Sequence, residues 1–452
     1  MHGAQVITSL LVILVIMHGL LLGVSYLILL ERKLASWSQD RIGPNRVGLW
    51  FKIPGLPRHL WGLGQPIADG LKMLMKEDYT PGNVDRGLFL AAPVLAVIPA
   101  MIGWAVIPWG GVFESFPGFE ITFWNWLPLI GGDTWQVLGG AVAVAVADLN
   151  VGAVYILAVG SLAVYGVVLG AWAANNKYTF FGGIRAAAQM LSYEIPMGLC
   201  VLCVLLLAGS ASASDIIGGQ VGYWGLLPKW YVFQQPLAAI LFFICILAES
   251  NRAPFDLAEC EQELIGGFHT EYSSMKFGLF FLGEYIHMIT ASAFLSLLFL
   301  GGWHLPFVDY ILYGGAQTAT GVGESGLLAD LVGAGAPLWL MALLGMGLKV
   351  LVFVGKCLVL VAIMMWIRWT LPRFRFDQLM GLAWRGLIPV TLLLLLVTGY
   401  CVYRGWEGYM WLANILVLAV VMLVIPWIPR GIDVNRRVGL SGSRFSPATG
   451  AD

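Results

Sequence analysis

The sequence predicts an all-α, polytopic membrane protein. Of its 452 residues, 59% are hydrophobic and only 11% are charged, whereas soluble domains carry about 25% charged residues. Apolar runs of helical length alternate with loops, and most basic residues fall in every second loop. The net charge of -1 excludes a nucleic-acid role driven by bulk basicity. Together these observations favour about nine transmembrane helices.

The spans follow from the length of the apolar runs, because a hydrocarbon core of about 30 Å needs roughly 20 apolar residues per helix. The first run is too long for a signal-peptide core and has no basic residue before it, so we interpret it as a retained helix. The fifth run is short, and the seventh is long enough to tilt. The run 135–147 is followed by Asp148 and is interpreted as a half-buried lead-in. The predicted spans are about 4–30, 87–108, 151–174, 190–209, 235–249, 277–302, 338–368, 387–404 and 409–428.

The basic residues predict the orientation, since loops that carry Lys and Arg stay on the cytoplasmic side of a membrane. The segments 31–86, 175–193, 249–276, 368–386 and 430–452 hold 21 of the 25 Lys and Arg residues. We therefore expect the N-terminus outside and the four large loops in the cytoplasm. After nine crossings, the basic tail is also expected in the cytoplasm.

Two short motifs are typical of cofactor sites but lack the context that such sites need. Cys200 and Cys203 form C-x-x-C inside an apolar run with no second pair, which favours small core side chains. The other cysteines are scattered, which argues against a disulfide framework or a protein-held iron–sulfur cluster. The stretch GVGESG at 321–326 matches G-x-G-x-x-G, but no strand precedes it, so no nucleotide site is expected there.

The first cytoplasmic loop combines a charged segment with an amphipathic helix. Glu31, Arg32 and Lys33 lie where the first helix leaves the membrane, either as an interfacial anchor or as part of a site. Downstream, QPIADGLKMLMKED begins with a proline that suits a first helical turn. Its apolar residues fall on one face and Asp69 on the other. This helix is predicted to lie at the membrane interface, as a lipid anchor alone or also as the wall of a cavity.

Three carboxylates fall within or at the ends of predicted spans. Glu194 starts the fourth span, Glu249 ends the fifth, and Glu284 lies in the sixth with His287 on the same face at i+3. Because an ionised carboxylate in lipid costs several kcal/mol, such groups face protein or a water-filled interior. A structural ion pair explains any one of them, but several toward one leaflet favour a proton or polar-ligand path. Lys356, within the seventh span, is a candidate counter-charge.

The densest block of acids lies between the fifth and sixth spans, at 248–277 (AESNRAPFDLAECEQELIGGFHTEYSSMKF), with six carboxylates against two basic residues. Asp256 and Glu259 have the spacing of a helix-capping pair. Glu259 and Glu263 would share a helical face, where like charges repel. A solvated acidic face is one interpretation. The interleaved apolar residues favour a packed loop, whose acids need cationic partners or shared protons.

Long loop motifs carry a resemblance to one family. They are E-R-K, R-x-G-P-N-R-V-G, Q-P-x-A-D, K-E-D, S-Y-E, A-E-S-N-R-A-P-F-D-L-A-E, G-F-H-T-E-Y-S-S-M-K-F and W-I-R-W-T-L-P-R-F-R-F-D-Q-L-M. These motifs resemble those of the H subunit of bacterial NADH:quinone oxidoreductase (respiratory complex I), whose mitochondrial counterpart is subunit 1. The match runs from the first helix to about Leu387. Two features depart from the family pattern: the insert FKIPGLPRHLWG in the first loop and a ninth span after the usual eight.

The resemblance implies a subunit at the heel of the membrane arm, which forms the membrane end of the quinone channel. It implies quinone as substrate, no redox cofactor in this chain, and FMN and iron–sulfur clusters in partner subunits. The implied partners are the cluster-bearing and quinone-site subunits of the peripheral arm, the small neighbouring membrane subunits and the lipid bilayer of a bacterial inner membrane. The residues carried over to the channel and its acidic loop are Glu31, Arg32, Asp69, Arg252, Phe255, Asp256, Glu259, Glu261 and Glu263. Those carried over to the proton path are Glu194, Glu249 and Glu284.

We expect residues 1–387 to form the membrane domain with the channel. Residues 388–429 would complete the eighth span and add the ninth, and 430–452 would form the tail. Without a flavin, nucleotide or cluster motif, the chain depends on a partner that places a redox centre near its cytoplasmic loops. A homologous membrane subunit of an ion-pumping hydrogenase or another dehydrogenase is one alternative. A stand-alone proton or solute carrier is another, although no repeat-related broken helices are found in the sequence.

Overall fold

The structure is a computed structural model, and its regular structure is almost entirely helical, which confirms the predicted all-α class. It describes residues 3–48, 60–110, 112–116, 119–122, 134–137, 140–224, 227–258, 266–305 and 338–424. Several sequence features lie outside these ranges: most of the insert FKIPGLPRHLWG, the acids Glu259, Glu261 and Glu263, the stretch GVGESG and the basic tail.

The α-helices are α1 (Gly3–Trp37), α2 (Gln65–Met75), α3 (Arg86–Ile102), α4 (Gly152–Ala173), α5 (Lys177–Ala208), α6 (Ala213–Gly218), α7 (Tyr231–Gln234), α8 (Pro236–Glu249), α9 (Ser274–Phe299), α10 (Leu338–Thr370), α11 (Phe376–Gly381), α12 (Ile388–Tyr403) and α13 (Met410–Val424). A π-helical turn, Leu382–Leu387, joins α11 to α12 into one continuous segment. Short 3-10 turns lie at Leu60–Gly62, Gly103–Ala105, Gly267–His269 and Glu407–Tyr409.

Eight helical segments of the described chain are long and apolar enough to cross a membrane. They contain α1, α3, α4, α5, α9, α10, the segment from α11 to α12, and α13. The fifth predicted span differs, because α8 has only 14 residues. At 1.5 Å per residue it is about 21 Å long, short of a hydrocarbon core of about 30 Å. It cannot be extended backwards as a regular helix, because Gln235 is non-helical and Pro236 follows. The count of nine spans is therefore not confirmed.

Two helices extend beyond the apolar runs that predicted them. α1 continues through the charged residues 31–33 to Trp37, and α5 begins at Lys177 rather than near residue 190. Asn176 caps α5, since its side-chain oxygen accepts a hydrogen bond from the backbone N–H of Tyr178 at 3.0 Å. Hydrophobicity thus located the apolar part of each helix, whereas the cap at Asn176 fixes where α5 begins.

The connection between α3 and α4 contains two short antiparallel strand pairs. β1 (Val112–Phe116) pairs with β4 (Gly140–Ala143), and β2 (Phe119–Thr122) pairs with β3 (Thr134–Val137). The run 135–147 contributes to these strands and does not form a span, as predicted. A third pair, β5 (Tyr223–Trp224) with β6 (Leu227–Pro228), follows α6.

The helix α9 lies at the centre of the bundle, and a larger share of its residues is buried than in any other span-length helix described. It packs against α1, α3, α8 and α10. Side chains on most faces of α9 therefore pack against other parts of the protein. Polar groups on this helix are therefore held among other side chains or trapped water rather than in lipid.

The helix α2 is the predicted amphipathic helix, and none of its residues is buried. Asp69 accepts a hydrogen bond from Arg32 of α1 at 2.7 Å. Ser274, at the start of α9, donates to the carbonyl of Met73 at 2.8 Å. These contacts attach α2 to the bundle and leave an apolar face exposed, as a helix at a membrane interface requires. The exposed apolar residues are Ile67, Leu71, Leu74 and Met75.

Candidate functional site

A buried arginine, Arg252, lies at the centre of the candidate site. It follows α8, and only 5% of its surface is exposed. Its Nη1 lies 3.0 Å and 2.9 Å from the two carboxylate oxygens of Glu31 on α1. Its Nε contacts a carboxylate oxygen of Glu284 on α9, and its guanidinium lies 4.2 Å from the ring centre of Tyr285. Three distant parts of the sequence therefore meet at one cation.

The charges around Arg252 are balanced. Burial by itself lowers the pKa of Arg252, but the carboxylates of Glu284 and Glu31 raise that pKa above its usual value, so the guanidinium stays charged. Glu31 also accepts hydrogen bonds from Arg368 of α10 and from the hydroxyl of Tyr285. Two cations thus face two carboxylates. Pairing of this kind offsets the free-energy cost of removing each charge from water.

The turn that carries Arg252 is fixed by a side chain of α5. The Nε2 of Gln189 donates to the carbonyl of Ala248 at 2.7 Å and to the carbonyl of Phe255 at 2.7 Å. It also lies 3.2 Å from Oδ1 of Asn251. One buried amide therefore holds both ends of the turn, which gives the guanidinium of Arg252 a defined position.

The next part of this loop is attached to the segment that follows α10. The carboxylate of Asp256 accepts a hydrogen bond from Nη2 of Arg373 at 2.8 Å. The rings of Phe255 and Phe374 stack with their centres 5.6 Å apart. The backbone N–H of Phe374 donates to the carbonyl of Pro254 at 3.2 Å. These three contacts join two loops that are far apart in the sequence.

The predicted helix after Asp256 stays a prediction. Residues 257 and 258 form a turn, and the described chain resumes only at 266. Glu259, Glu261 and Glu263 fall in the interval and lie outside the described residues. The carboxylate of Asp256 does have the cationic partner that a packed acidic loop was expected to need.

The part of the loop just before α9, residues 266–273, is packed by aromatic rings. The ring of Tyr272 stacks on Phe89 with a centre-to-centre distance of 4.1 Å, and burial raises the pKa of Tyr272. Burial lowers the pKa of His269 to about 4, so this imidazole is neutral near pH 7. His269 therefore adds no positive charge to the described part of the loop at this pH.

A row of acidic and imidazole groups continues from Arg252 into the bundle. Oε1 of Glu249, at the end of α8, lies 3.2 Å from Nε2 of His287 on α9, and each side chain is 11% exposed. Glu284 precedes His287 by one helical turn. Glu194 of α5 lies close enough to Glu249 for their charges to interact. The structure therefore brings the three predicted intramembrane acids into one region.

Two small cavities flank the pair of Glu249 and His287. The first, of about 50 Å³, is lined by both residues together with Glu284 and Asn251. The second, of about 20 Å³, is lined by the same pair together with Gly160. Because a water molecule needs about 10–15 Å³ of such space and several polar partners, both cavities suit water.

A third cavity has a different character. It measures about 690 Å³, lies beside α1 and α10, and is lined almost wholly by apolar residues such as Leu20 and Val361. None of its lining residues belongs to the two small cavities. The polar part of a ligand needs hydrogen-bond partners at fixed positions, and this apolar cavity offers almost none. The charged cluster is therefore the candidate site.

Two predicted site residues lie at the edge of the bundle. Arg32 and Asp69 form an ion pair of 2.7 Å, but their side chains are 48% and 26% exposed. They connect α1 to α2 outside the buried cluster.

Lys356 occupies a different place from the acids. Its Nζ donates to the carbonyls of Leu300, Gly302 and His304 at 2.6–2.9 Å. Leu300 follows Glu284 by 16 residues, which corresponds to about 24 Å along a helix. The counter-charges of the buried acids are instead Arg252 and Arg368.

Sequence reasoning missed three members of the site: Tyr285, Arg368 and Arg373. Both arginines belong to W-I-R-W-T-L-P-R-F-R at 366–375, and a dense basic segment at the end of an apolar helix was the available signal. Cys200 and Cys203 are buried side chains of α5. Within the described ranges, no group of three His, Cys, Asp or Glu side chains is arranged to hold a metal ion.

Comparison with known proteins gives a consistent result. Residues 11–399 match the family model described as NADH dehydrogenase. An H subunit of the NADH-quinone oxidoreductase of Geobacter sulfurreducens is 42% identical over 390 residues, which cover 86% of this chain and 93% of that protein. An H subunit of the same enzyme from Cytophaga hutchinsonii is 40% identical over 372 residues, 82% of this chain and 90% of that protein. The H subunit from Flavobacterium johnsoniae is 38% identical over 405 residues, 89% and 97%.

Proposed function

Since the chain belongs to the NADH dehydrogenase family and is similar to H subunits of NADH-quinone oxidoreductase, we propose that it forms the membrane end of a quinone channel and couples quinone reduction to proton translocation. It would act as a membrane-arm subunit of complex I and carry no redox cofactor itself. FMN and iron–sulfur clusters would be bound by partner subunits of the peripheral arm.

One observation supports this function above the others: the charged cluster at Arg252 is connected to a row of buried acids. Glu31 and Glu284 share the same arginine, and Glu284 shares a cavity with Glu249. A chain of ionisable groups that interact closely titrates as a unit, so a proton gained at one end changes proton affinity at the other.

The cytoplasmic end of this chain is the proposed quinone end. Reduction of a quinone to a quinol consumes protons and passes through charged states, which act on nearby charges. Phe255 and Asp256 join Arg252 there, and Glu259, Glu261 and Glu263 follow them in the sequence. A charge that develops on the quinone would shift Arg252 between Glu31 and Glu284, and Glu249 and Glu194 would respond.

The proposed setting is a bacterial inner membrane, with the N-terminus outside and the tail in the cytoplasm. The quinone-site subunit of the peripheral arm would cover the loops around 250–273 and 371–375, and small membrane subunits would contact the bundle. Residues 1–387 would form the channel-bearing domain. The helix α13 lies beyond the family match, which ends at residue 399.

The test of this function is Glu249→Gln in the assembled complex, because glutamine keeps the shape of the side chain but cannot titrate. We expect assembly at the wild-type level, with quinone reduction and proton pumping both reduced about tenfold or more, since positioned proton-transfer groups contribute at least 10²-fold in most enzymes. Pumping is measured by the quenching of a pH-sensitive dye in inside-out vesicles.

Each rate is divided by NADH oxidation with an artificial acceptor that bypasses the quinone site, so that only assembled complex is counted. Glu407→Gln is the matched control, because this acid is exposed in the 3-10 turn that precedes α13. Wild-type pumping per assembled complex in Glu249→Gln would remove the proposed role of the acid row.

A further inference from the structure

His287 lies between the two acids of α8 and α9 and belongs to neither the quinone loop nor the row of carboxylates. Its Nε2 is 3.2 Å from Oε1 of Glu249, and Glu284 lies one helical turn before it. Its side chain is only 11% exposed. Imidazole is the side chain that most readily gains and loses a proton between about pH 5 and 8.

The cavities place His287 at a boundary between two spaces. Both cavities are lined by His287 and Glu249, but only the larger one reaches Glu284. A proton that moves from Glu284 to the smaller cavity therefore has a path through this pair. Gly160 lies opposite, where an added Cβ would be 3.4 Å from Oε1 of Glu249 and 3.9 Å from Cε1 of His287. Glycine at this position leaves the space beside the pair open.

The simpler interpretation is that His287 only fixes the position of Glu249 by a permanent hydrogen bond. Such a hydrogen bond would hold Nε2 of His287 aligned with the carboxylate of Glu249. In the described structure Nε2 is within 3.2 Å of the carboxylate but has no aligned hydrogen-bond partner. A buried ring nitrogen in this state can turn toward Glu249 or toward water in the cavity, which suits transfer better than anchoring.

We propose, on the basis of the function proposed above, that His287 carries protons between Glu284 and Glu249. A proton leaves the carboxyl group of Glu284 through water in the larger cavity and binds the neutral imidazole. The imidazolium then releases the proton on Nε2 to the carboxylate of Glu249 and becomes neutral again. No electron moves, and the net change is the transfer of one proton from Glu284 to Glu249.

The charges around His287 make this transfer responsive to the quinone end. Glu249 faces it from α8, with Glu194 of α5 nearby. Glu284 lies on its own helix and is paired with Arg252. The cavities also touch α3 and α4 through apolar residues and glycines such as Gly160. Release of a proton by Glu284 therefore depends on how strongly Arg252, which also pairs with Glu31, holds its carboxylate.

The test is His287→Gln in the assembled complex. Glutamine reaches a similar distance and forms hydrogen bonds, but it takes up no proton in the accessible pH range. We expect quinone reduction and pumping to fall about tenfold. We also expect the dependence of turnover on pH between about 5 and 8 to flatten, and the solvent deuterium isotope effect on turnover to increase. A residue that only fixes Glu249 would leave the pH profile and the isotope effect unchanged.

Met288→Leu is the matched control, because it conserves the volume of the adjacent buried side chain on α9. His287→Asn provides the same test if glutamine prevents assembly. Wild-type pumping, pH profile and isotope effect in the assembled variant, with Glu249→Gln still impaired, would overturn the role of His287 alone. Wild-type behaviour of both variants would overturn the proposed function as well.

Discussion

Glu31 and Arg32 are neighbours on α1, yet they lie in opposite environments. Glu31 is 6% exposed and is paired with Arg252 and Arg368, whereas the side chain of Arg32 is 48% exposed and pairs with Asp69. Consecutive residues of an α-helix point about 100° apart, so one side chain faces the bundle and the other faces α2. A charged motif therefore does not assign one role to all its members.

Burial decides what each ion pair contributes. Breaking a buried pair by removing one partner costs about 3–5 kcal/mol, because the remaining charge stays buried without compensation. An exposed pair contributes about 0.2–1 kcal/mol, and salt weakens it further. Substitutions of Glu31 and of Arg32 should therefore have very different effects on stability.

The largest effect is expected for Arg252→Gln. This change leaves Glu284 without its buried cation and leaves Glu31 with Arg368 alone. We expect a loss of about 3–5 kcal/mol from the folded subunit. The amount of assembled complex, measured on native gels, should drop severely, and quinone reduction should be lost with it.

The double variant Arg252→Gln with Glu284→Gln tests the cause. It removes the unpaired carboxylate of Glu284 together with the cation of Arg252, so assembly should recover in part. Proton pumping should stay low, because a titrating acid is missing. Wild-type assembly of the single variant would show that the buried cluster contributes little to stability, and the contrast with Arg32 would disappear.

An intermediate effect is expected for Asp256→Asn. The partner of Asp256, Arg373, is about one-third exposed, and the two loops remain joined by Phe255 on Phe374 and by one backbone hydrogen bond. We expect normal assembly, about two- to fivefold slower quinone reduction, corresponding to roughly 1 kcal/mol, and faster amide hydrogen exchange in residues 371–375.

Asp377→Asn is the control for this prediction, because Asp377 is an exposed acid four residues after Arg373. Unchanged hydrogen exchange in Asp256→Asn would mean that the stacked rings hold the loops without the ion pair. A complete loss of assembly would place Asp256 with the fully buried cluster instead.

The spans could be predicted because bilayer thickness sets a length that an apolar run either reaches or does not. α4, predicted as 151–174, is observed as Gly152–Ala173. The fifth run, predicted as 235–249 and already short, is observed as Pro236–Glu249. The prediction was less accurate for α5, because the cap at Asn176 starts this helix well before its apolar run.

The acids of the site could be named from the sequence, but most of their partners could not. Spacing rules relate residues one turn apart, and they placed His287 beside Glu284. They cannot relate Glu31 to Arg252, which is 221 residues away, or to Arg368, which is 337 residues away. Lys356 shows the converse: a cation in a span pairs with carbonyls at the end of α9, where helix termini leave acceptors unsatisfied.

The smallest effect is expected for Arg32→Ala, and it completes the contrast with Glu31. Loss of the exposed pair with Asp69 should cost at most about 1 kcal/mol, so assembly should remain at the wild-type level. The pair attaches α2 to α1, so a looser α2 should raise the apparent KM for quinone up to about fivefold, with kcat unchanged.

The salt dependence distinguishes this pair from a buried one. Because exposed charges are screened, higher ionic strength should raise the KM of the wild-type complex toward that of the variant and leave the variant nearly unaffected. Lys72→Ala, which removes another exposed cation of α2, should change neither value. An unchanged KM in Arg32→Ala would make Arg32 an interfacial anchor only, whereas poor assembly would show that exposure at this position is a misleading guide to its contribution.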